Sequence, residues 1–448
     1  MSSKRVENLY YKLNKKIKKN YSFLDQEFKD VKNLFELQFR LIELNRKKAV
    51  NTNLKKITKK NFFHKSFYRI IIIISSNLFN FFNITPRIFM RSKSMSKFAE
   101  KNLKIALNYK KIKTLGSVSI GDGWIENIRY IYLNTWIYDI LELASEVNYV
   151  LKKYKCQNAE KLTRLVKSNI FINEINAAFK IDKNFISRAL KNFCIHGVLL
   201  HTDQTPSAYT LIQAAKEKNI KTAVLAHGTL TDPCLASVLP LHAKKIFVWT
   251  KKTEKYINFC NKSPVAKFAS GIKMGIIQKK KANSVLIAGD PYNFINENLE
   301  RRFENFIQKL QKIVNPLRLL YCPHPTDRNE IIKKKILNLG IEWSKISTYK
   351  AAENAKIVIG GVSSFLFESY CSGISTFQLK EFLINYKEYE EFKNLPNHWA
   401  IDKLPQLSYK EFLINYENII KQTLNIDNIK FNVKPFINFY RLKKFVRT

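Results

Sequence analysis

Apolar and polar positions along this chain fall into blocks whose period changes from strand-like to helix-like and back. Leu317 to Cys322 and Lys356 to Ile359 are short apolar runs of strand length. The first stops at Pro323-His324-Pro325, the second at Gly360-Gly361-Val362-Ser363-Ser364. Phe365 to Tyr370 is then apolar at helical spacing up to Gly373, and Ile374 to Leu379 reads as the next strand. Upstream, Val285 to Ala288 predicts a strand ending at Gly289-Asp290-Pro291, followed by a long amphipathic helix over Phe294 to Ile313. Earlier still, Val198 to His201 predicts a strand, Ser207 to Lys218 a helix, and Lys221 to Leu225 a strand ending at Ala226-His227-Gly228; Lys245 to Trp249 is a further strand. Strands alternating with helices predict parallel sheets, and such sheets bind ligands beyond the carboxyl ends of their strands.

The amino-terminal part reads differently. Leu34, Leu37, Leu41 and Leu44 recur at spacings of three and four, which predicts a helix, here expected as a solvated arm. Phe67 to Phe82 holds the unbroken run Ile70 to Ile74 but also Ser75, Ser76, Asn77 and Asn80. It is too short and too polar to span roughly 30 Å of hydrocarbon, and too far from Met1 for a signal peptide. Thr85-Pro86 and the polar run Arg91 to Lys97 mark the expected junction to the first globular domain. There Leu115 to Ile120 predicts a strand, Gly121-Asp122-Gly123 a turn and Trp124 to Trp136 a helix; Leu141 to Leu190 is helix-rich. Phe268-Ala269-Ser270-Gly271 closes this half, and the lysine-rich stretch from Gln278 to Asn283 suits a linker. The heptapeptide Lys-Glu-Phe-Leu-Ile-Asn-Tyr occurs at Lys380 to Tyr386 and again at Lys410 to Tyr416, predicting two helices with similar faces.

Composition narrows the class. A chain of 448 residues, 46% hydrophobic and 13% aromatic, is long enough for two or three domains and excludes general disorder. The formal charge of +41 favours anionic partners, part of it reflecting a general abundance of Lys, Asn and Ile. Residues 1–65 alone carry 18 Lys/Arg against 6 Asp/Glu. A basic arm beside an interfacial apolar segment is the pattern of a protein attracted to an anionic membrane surface, the alternative being a buried helix of the fold. The six cysteines are scattered and form no Cys-x-x-Cys, which suits buried thiols in a reducing cytoplasm and argues against zinc or a disulfide framework.

The candidate chemistry sits at the predicted strand ends. Gly361 lets backbone approach a ligand, and a helix starting near Ser364 presents free N–H groups and a positive dipole end, both favouring a phosphate. His324 can add a hydrogen bond or a charge to the same anion. Ser363 and Ser364 also read as plain helix N-caps. In the first half, Asp122, Asp203 and His227 follow predicted strands and are candidates for a general base; for Asp122 the competing reading is a turn aspartate bonding its own backbone. His242 and Trp249 are assigned to packing. No Asp-x-Asp occurs, so neither a metal site nor any cofactor is expected.

Pro323-His324-Pro325 followed by Ser363-Ser364 and Glu368 resembles the donor half of bacterial surface-polysaccharide glycosyltransferases of the GT-B fold, among them capsule polymerases, Kdo and sialic acid transferases and CDP-glycerol glycerophosphotransferases. Ile120-Gly121-Asp122 with Tyr130 and Tyr132-Leu133 is similar to a segment near the start of many polysaccharide-synthesis transferases, and partly to the acidic-acidic-Gly motif of bacterial sialyltransferases, with Gly121 where the first acidic residue stands. His227-Gly228 is similar to the acceptor-side His-Gly of the same superfamily. The resemblance implies an α/β, GT-B-like fold: a basic helical extension over 1–95, an acceptor-binding Rossmann-like domain over 96–275, a donor-binding one over 284–425 facing the same cleft, and a basic tail over 426–448. It implies transfer of a sugar from a nucleotide-activated donor, CMP- or CDP-linked, to a surface polysaccharide or lipid-linked glycan. His324, Pro325, Gly361, Ser363, Ser364 and Glu368 would hold the donor, and Asp122, then Asp203 or His227, would act as base. The expected location is cytoplasmic, at the inner face of the membrane. A polyol-phosphate transferase using CDP-glycerol, a nucleotide-sugar epimerase and a non-catalytic nucleic-acid-binding protein are the alternatives; no RNA-binding aromatic motif, zinc finger or P-loop supports the last.

Overall fold

The computed structural model describes residues 28–44, 64–81, 87–90, most of 111–133, 141–226, 238–268, 282–289, 297–323, 330–381 and 404–425, apart from a few positions within these ranges. Its contacts divide into two units, and among the described residues the division falls between Phe268 and Ala282.

In the first unit, helices α1 (Lys29–Leu44) and α2 (His64–Phe81) precede strands β1 (Arg87–Met90), β2 (Lys111–Leu115), β3 (Val118–Asp122), β4 (Trp124–Ile125), β5 (Ile128–Arg129) and β6 (Ile131–Leu133). Helices α3 (Glu146–Lys153), α4 (Ala159–Leu165) and α5 (Asn169–Asn192) follow. Then come β7 (Ile195–Leu200), α6 (Pro206–Glu217), β8 (Lys221–Leu225), β9 (Lys245–Val248), α7 (Lys251–Asn261) and β10 (Ala266–Phe268). The main sheet has the order β10-β9-β8-β7-β1-β6-β3-β2. It is parallel from β10 to β6, whereas β3 runs antiparallel to both β6 and β2.

Four expectations change here. The helix α1 is no solvated arm: Val31, Leu34, Phe35, Leu37 and Phe39 are buried in one core with Leu162, Phe171 and Phe179, and Phe35 stacks on Phe171 at 5.5 Å. Polar contacts fix it as well, because Asn33 Nδ2 donates to the Tyr209 hydroxyl at 2.7 Å and that hydroxyl donates to Asp30 Oδ1 at 2.7 Å. The strand β1, within the stretch expected to be extension, sits mid-sheet between β6 and β7. Trp124 to Trp136 begins as short strands in place of a helix, in keeping with the β-branched and aromatic run Ile128-Arg129-Tyr130-Ile131-Tyr132. The expected strand over Leu115 to Ile120 is likewise divided between two antiparallel strands, β2 and β3, with Leu115 opposite Val118.

The second unit contains β11 (Ser284–Ala288), α8 (Glu297–Val314), β12 (Arg318–Cys322), α9 (Glu330–Asn338), β13 (Glu342–Trp343), α10 (Thr348–Ala352), β14 (Ala355–Gly360), α11 (Ser364–Cys371), β15 (Ser375–Leu379), β16 (Gln406–Leu407) and α12 (Tyr409–Asn425). All six strands are parallel, in the order β13-β12-β11-β14-β15-β16. Counted from β11 this is 3-2-1-4-5-6, the Rossmann strand order. β11 is buried throughout, as its unbroken apolar run requires of a strand covered on both faces. Val285, Ile287, Leu319, Tyr321, Ile357 and Ile359 face one way, into a core completed by Phe303, Phe306 and Leu310 of α8 and Phe412 and Tyr416 of α12. The second heptapeptide copy thus supplies two core side chains; the first lies mostly outside the described residues. The mixed α/β class with parallel sheets is as the alternating pattern predicts.

Candidate functional site

In a sheet of order 3-2-1-4-5-6 the chain leaves the first strand to one side and returns on the other, so the carboxyl ends of strands 1 and 4 part and leave a crevice between them. Here those strands are β11 and β14, which end at Ala288 and Gly360. Gly289 follows β11 because nothing larger fits, a Cβ there lying 2.7 Å from the Cys322 carbonyl oxygen; Gly360 ends β14 where a Cβ would lie a tight 3.0 Å from Ala288.

The chain leaves β14 through Gly361, whose carbonyl accepts from Gln378 Nε2 at 3.0 Å. Ser363 caps α11 with its side chain, which accepts from the Phe365 N–H at 3.3 Å, and its extended backbone (φ −128, ψ 127) sets the entry angle. Ser363 and Ser364 are half-buried. The first turn of α11 therefore opens at the same sheet edge as the β11 turn, and its N–H groups suit an anion.

Glu368 has a different job from the ligand contact expected of it. It is 4% exposed, one turn inside α11, and its Oε1 accepts from the Tyr349 hydroxyl at 2.9 Å. Tyr349 also meets Phe365 edge-on at 5.4 Å, so the pair locks α11 to α10. Burial first, then the neighbouring Glu368 charge, push the Tyr349 hydroxyl well above the ordinary phenol range and keep it a hydrogen-bond donor.

His324 and Pro325 lie outside the described residues, but Pro323, one residue before them, does not. β12, which it follows, is not the neighbour of β14: β11 lies between them. Two inter-strand spacings put the ends of β12 and β14 about 10 Å apart. A cavity of about 430 Å³ opens at the β12 and β13 ends, lined by Pro323, Ser344, Lys345, Ile346, Ser347 and Tyr349 among others. Sequence reasoning missed this wall, since β13 is only two residues long. The signal available was Ser344-Lys345-Ile346-Ser347-Thr348, a polar link between a strand and a helix. A larger cavity, about 850 Å³, adjoins it but reaches towards Ser284 and Arg318 at the amino ends of β11 and β12, the edge where parallel sheets do not bind ligands.

In the first unit, topology separates the candidate bases. Ser119 of β3 pairs antiparallel with Tyr132 of β6, so Asp122, three residues further along β3, lies level with the amino end of β6. Asp203 follows β7 and belongs to the opposite edge. Asp203 is in turn 1% exposed: its Oδ2 accepts from the His242 and Ala243 N–H groups at 2.6 and 2.9 Å, and its Oδ1 from Gln204 Nε2 at 2.6 Å. That carboxylate ties the β7–α6 turn to the segment entering β9. His227 lies outside the described residues, one position after Ala226 at the carboxyl end of β8. His242 packs edge-on against Tyr209 at 4.9 Å and Trp249 donates to the Ala226 carbonyl at 2.7 Å, the structural roles expected. Among the described residues no three His, Cys, Asp or Glu side chains gather as for a metal ion.

No family model matches the sequence, and no curated protein matches it. Solved structures align with it at low identity. The UDP-GlcNAc 2-epimerase from Methanocaldococcus jannaschii aligns over 81% of this chain and 99% of its own, with 13% identity and a TM-score of 0.46. The wall teichoic acid polymerase TagF aligns over 82% and 90%, with 10% identity and a TM-score of 0.37. MurG from Acinetobacter baumannii aligns over 77% and 91%, with 11% identity and a TM-score of 0.36. At these values they carry no residue's role across to this chain, and the strand orders stand by themselves: the chain folds as two α/β units, the second with the Rossmann order.

Proposed function

We propose that the second unit binds a nucleotide-activated sugar and that the protein transfers that sugar to a surface polysaccharide or lipid-linked glycan. The observation that carries this reading is the β11–β14 switch point, where Gly289, Gly361 and the amino end of α11 come to one edge of a Rossmann-ordered sheet. A phosphate placed there meets N–H groups and the positive end of a helix dipole. The nucleoside would occupy the cavity beyond β12 and β13, whose volume of about 430 Å³ falls in the usual range for small-molecule sites.

In glycosyl transfer the leaving phosphate gains charge as the anomeric bond breaks. Fixed donors at the α11 amino end, with Ser364 and His324, would stabilise that charge where it develops; one such donor contributes about 2.7 to 4 kcal/mol. As the base that takes the acceptor proton, His227 is the remaining sequence candidate, Asp122 lying at the amino edge of its sheet and Asp203 being engaged in the fold. The motif resemblance favours a CMP- or CDP-linked donor. The same anion site would serve a polyol-phosphate transferase or a sugar-nucleotide epimerase, so the test must read the product.

The full-length protein is incubated with CMP-, CDP- and UDP-linked donors, with thermal unfolding and nucleotide release followed in parallel. A cognate donor at a hundredfold excess over Kd stabilises the fold by about 2.7 kcal/mol. Release of free nucleotide with glycan extension supports transfer, and interconversion of the sugar without release supports an epimerase. Indifference to every nucleotide, with salt-sensitive retention on DNA, would overturn the reading.

A further inference from the structure

Helix α2 carries an aliphatic ridge that the fold turns outwards. Phe67, Ile70, Ile73 and Ile74 lie on one side of it, three and four residues apart, and each is between 47% and 55% exposed. Ile72, about 200° round the helix from Ile70, is 2% exposed and packs inwards. A run of isoleucines would ordinarily be expected to point its most apolar side into the core.

What holds the ridge out is a polar anchor. Arg69 donates to Asp182 Oδ1 at 3.0 Å and to the Ala144 carbonyl at 3.1 Å, and its guanidinium lies over the Phe185 ring at 5.2 Å. Asp182, 2% exposed on α5, is held further by Ser145 Oγ at 2.7 Å and by the Glu146 and Val147 N–H groups at 2.8 and 2.9 Å. A second contact, Asn192 to Asn77 at 3.0 Å, keeps α2 alongside α5 one end to the other. Both helices run the same way, Arg69 meeting Asp182 and Asn77 meeting Asn192. The solvent-facing side of α5 contributes Lys180, Ile181, Arg188 and Lys191, all exposed.

We infer that α2 docks lengthwise on an anionic lipid bilayer, with the Phe67-Ile70-Ile73-Ile74 ridge in the interfacial region and the cations of α5 beside the headgroups. Spanning is not at issue, since no helix among the described residues is long and apolar enough to cross a membrane. Charge decides the occupant. A second copy of a chain of formal charge +41 would bring like charge against like, whereas an anionic leaflet attracts each nearby Lys or Arg and accepts the apolar side chains.

The test is co-sedimentation of the full-length protein with vesicles of phosphatidylcholine containing phosphatidylglycerol, against phosphatidylcholine alone. Wild type should pellet with the anionic vesicles, less so as salt rises. Ile70→Asn/Ile74→Asn should lower the partition coefficient at least tenfold with thermal unfolding unchanged, and Ile70→Leu should retain binding. Should the double variant unfold, Ile73→Ser alone is read in its place. Equal pelleting of wild type and ridge variants, or none with either vesicle, overturns the proposal. So does a dimer seen by sedimentation equilibrium and lost in the ridge variant without vesicle binding, which would assign the ridge to a second copy.

Discussion

The hydroxyl of Tyr349 donates to the carboxylate of Glu368 at 2.9 Å, beneath the helix turn that begins at Ser364. Glu368 lies one turn inside α11 while Tyr349 also lines the cavity at the β12 and β13 ends, and together they fix where the α11 amino end points. Removing the donor with Tyr349→Phe leaves a carboxylate at 4% exposure short of a hydrogen bond, at a cost of about 1.5 to 3 kcal/mol. Urea unfolding should show that loss. Because α11 loses its brace, donor affinity should fall as well, whereas Glu368→Gln, which still accepts from the Tyr349 hydroxyl, should keep most of the stability.

The candidate bases separate by variant. Asp203→Asn keeps one acceptor oxygen but sets an NH2 donor against either the His242 and Ala243 N–H groups or Gln204 Nε2, and should destabilise by about 1 to 3 kcal/mol, lowering turnover through loss of folded protein. Asp122→Asn, at the amino edge, should leave turnover per folded molecule within about twofold. His227→Ala should lower kcat by about a hundredfold or more without a matching change in unfolding. Steady-state turnover, corrected for folded fraction, distinguishes the three.

Helix α1 should behave as core. Phe35 is fully buried and stacks on Phe171, so Phe35→Ala should cost about 3 to 5 kcal/mol. A solvated arm would lose almost nothing. The comparison is made by chemical denaturation of the two full-length proteins.

Two thiols report on pH. Burial pushes Cys156 and Cys322 up to about 11, from an ordinary thiol value near 9. A pKa raised in the folded state favours the neutral thiol there. The stabilisation is therefore complete below the unfolded-state pKa and is lost as pH rises through about 11. Native protein at pH 8 should leave both cysteines unlabelled by iodoacetamide, and unfolding in guanidinium should expose them to it.

Local pattern carried the second unit well. β11, β12 and β14 are apolar runs closed by Gly or Pro, and they and β15 lie within a residue or two of their expected places, as does α11 after Ser363. Strand order is another matter, because it depends on which strands pair and no local signal encodes that. Hence β11 between β12 and β14, and β3 antiparallel to β6, were not legible, and with them went the placing of Asp122. β1 is four residues long and follows Pro86, too little for a period to register. The charges of α1 hid its burial: Lys29, Lys32 and Glu36 line the outer side of a helix whose inner side is core. Asp203 looked catalytic because it follows a strand; its partners, some 40 residues away, only the fold supplies.

The central claim is that the α11 amino end, at the β11–β14 switch point, holds a phosphate of a nucleotide. Calorimetric titration of full-length wild type and Ser364→Ala with CMP, CDP and UDP tests it most directly. One nucleotide should bind at micromolar Kd, weakened at least tenfold in the variant while its thermal unfolding stays unchanged. Nucleotide binding that is absent in wild type, or equally tight in both proteins, would contradict it.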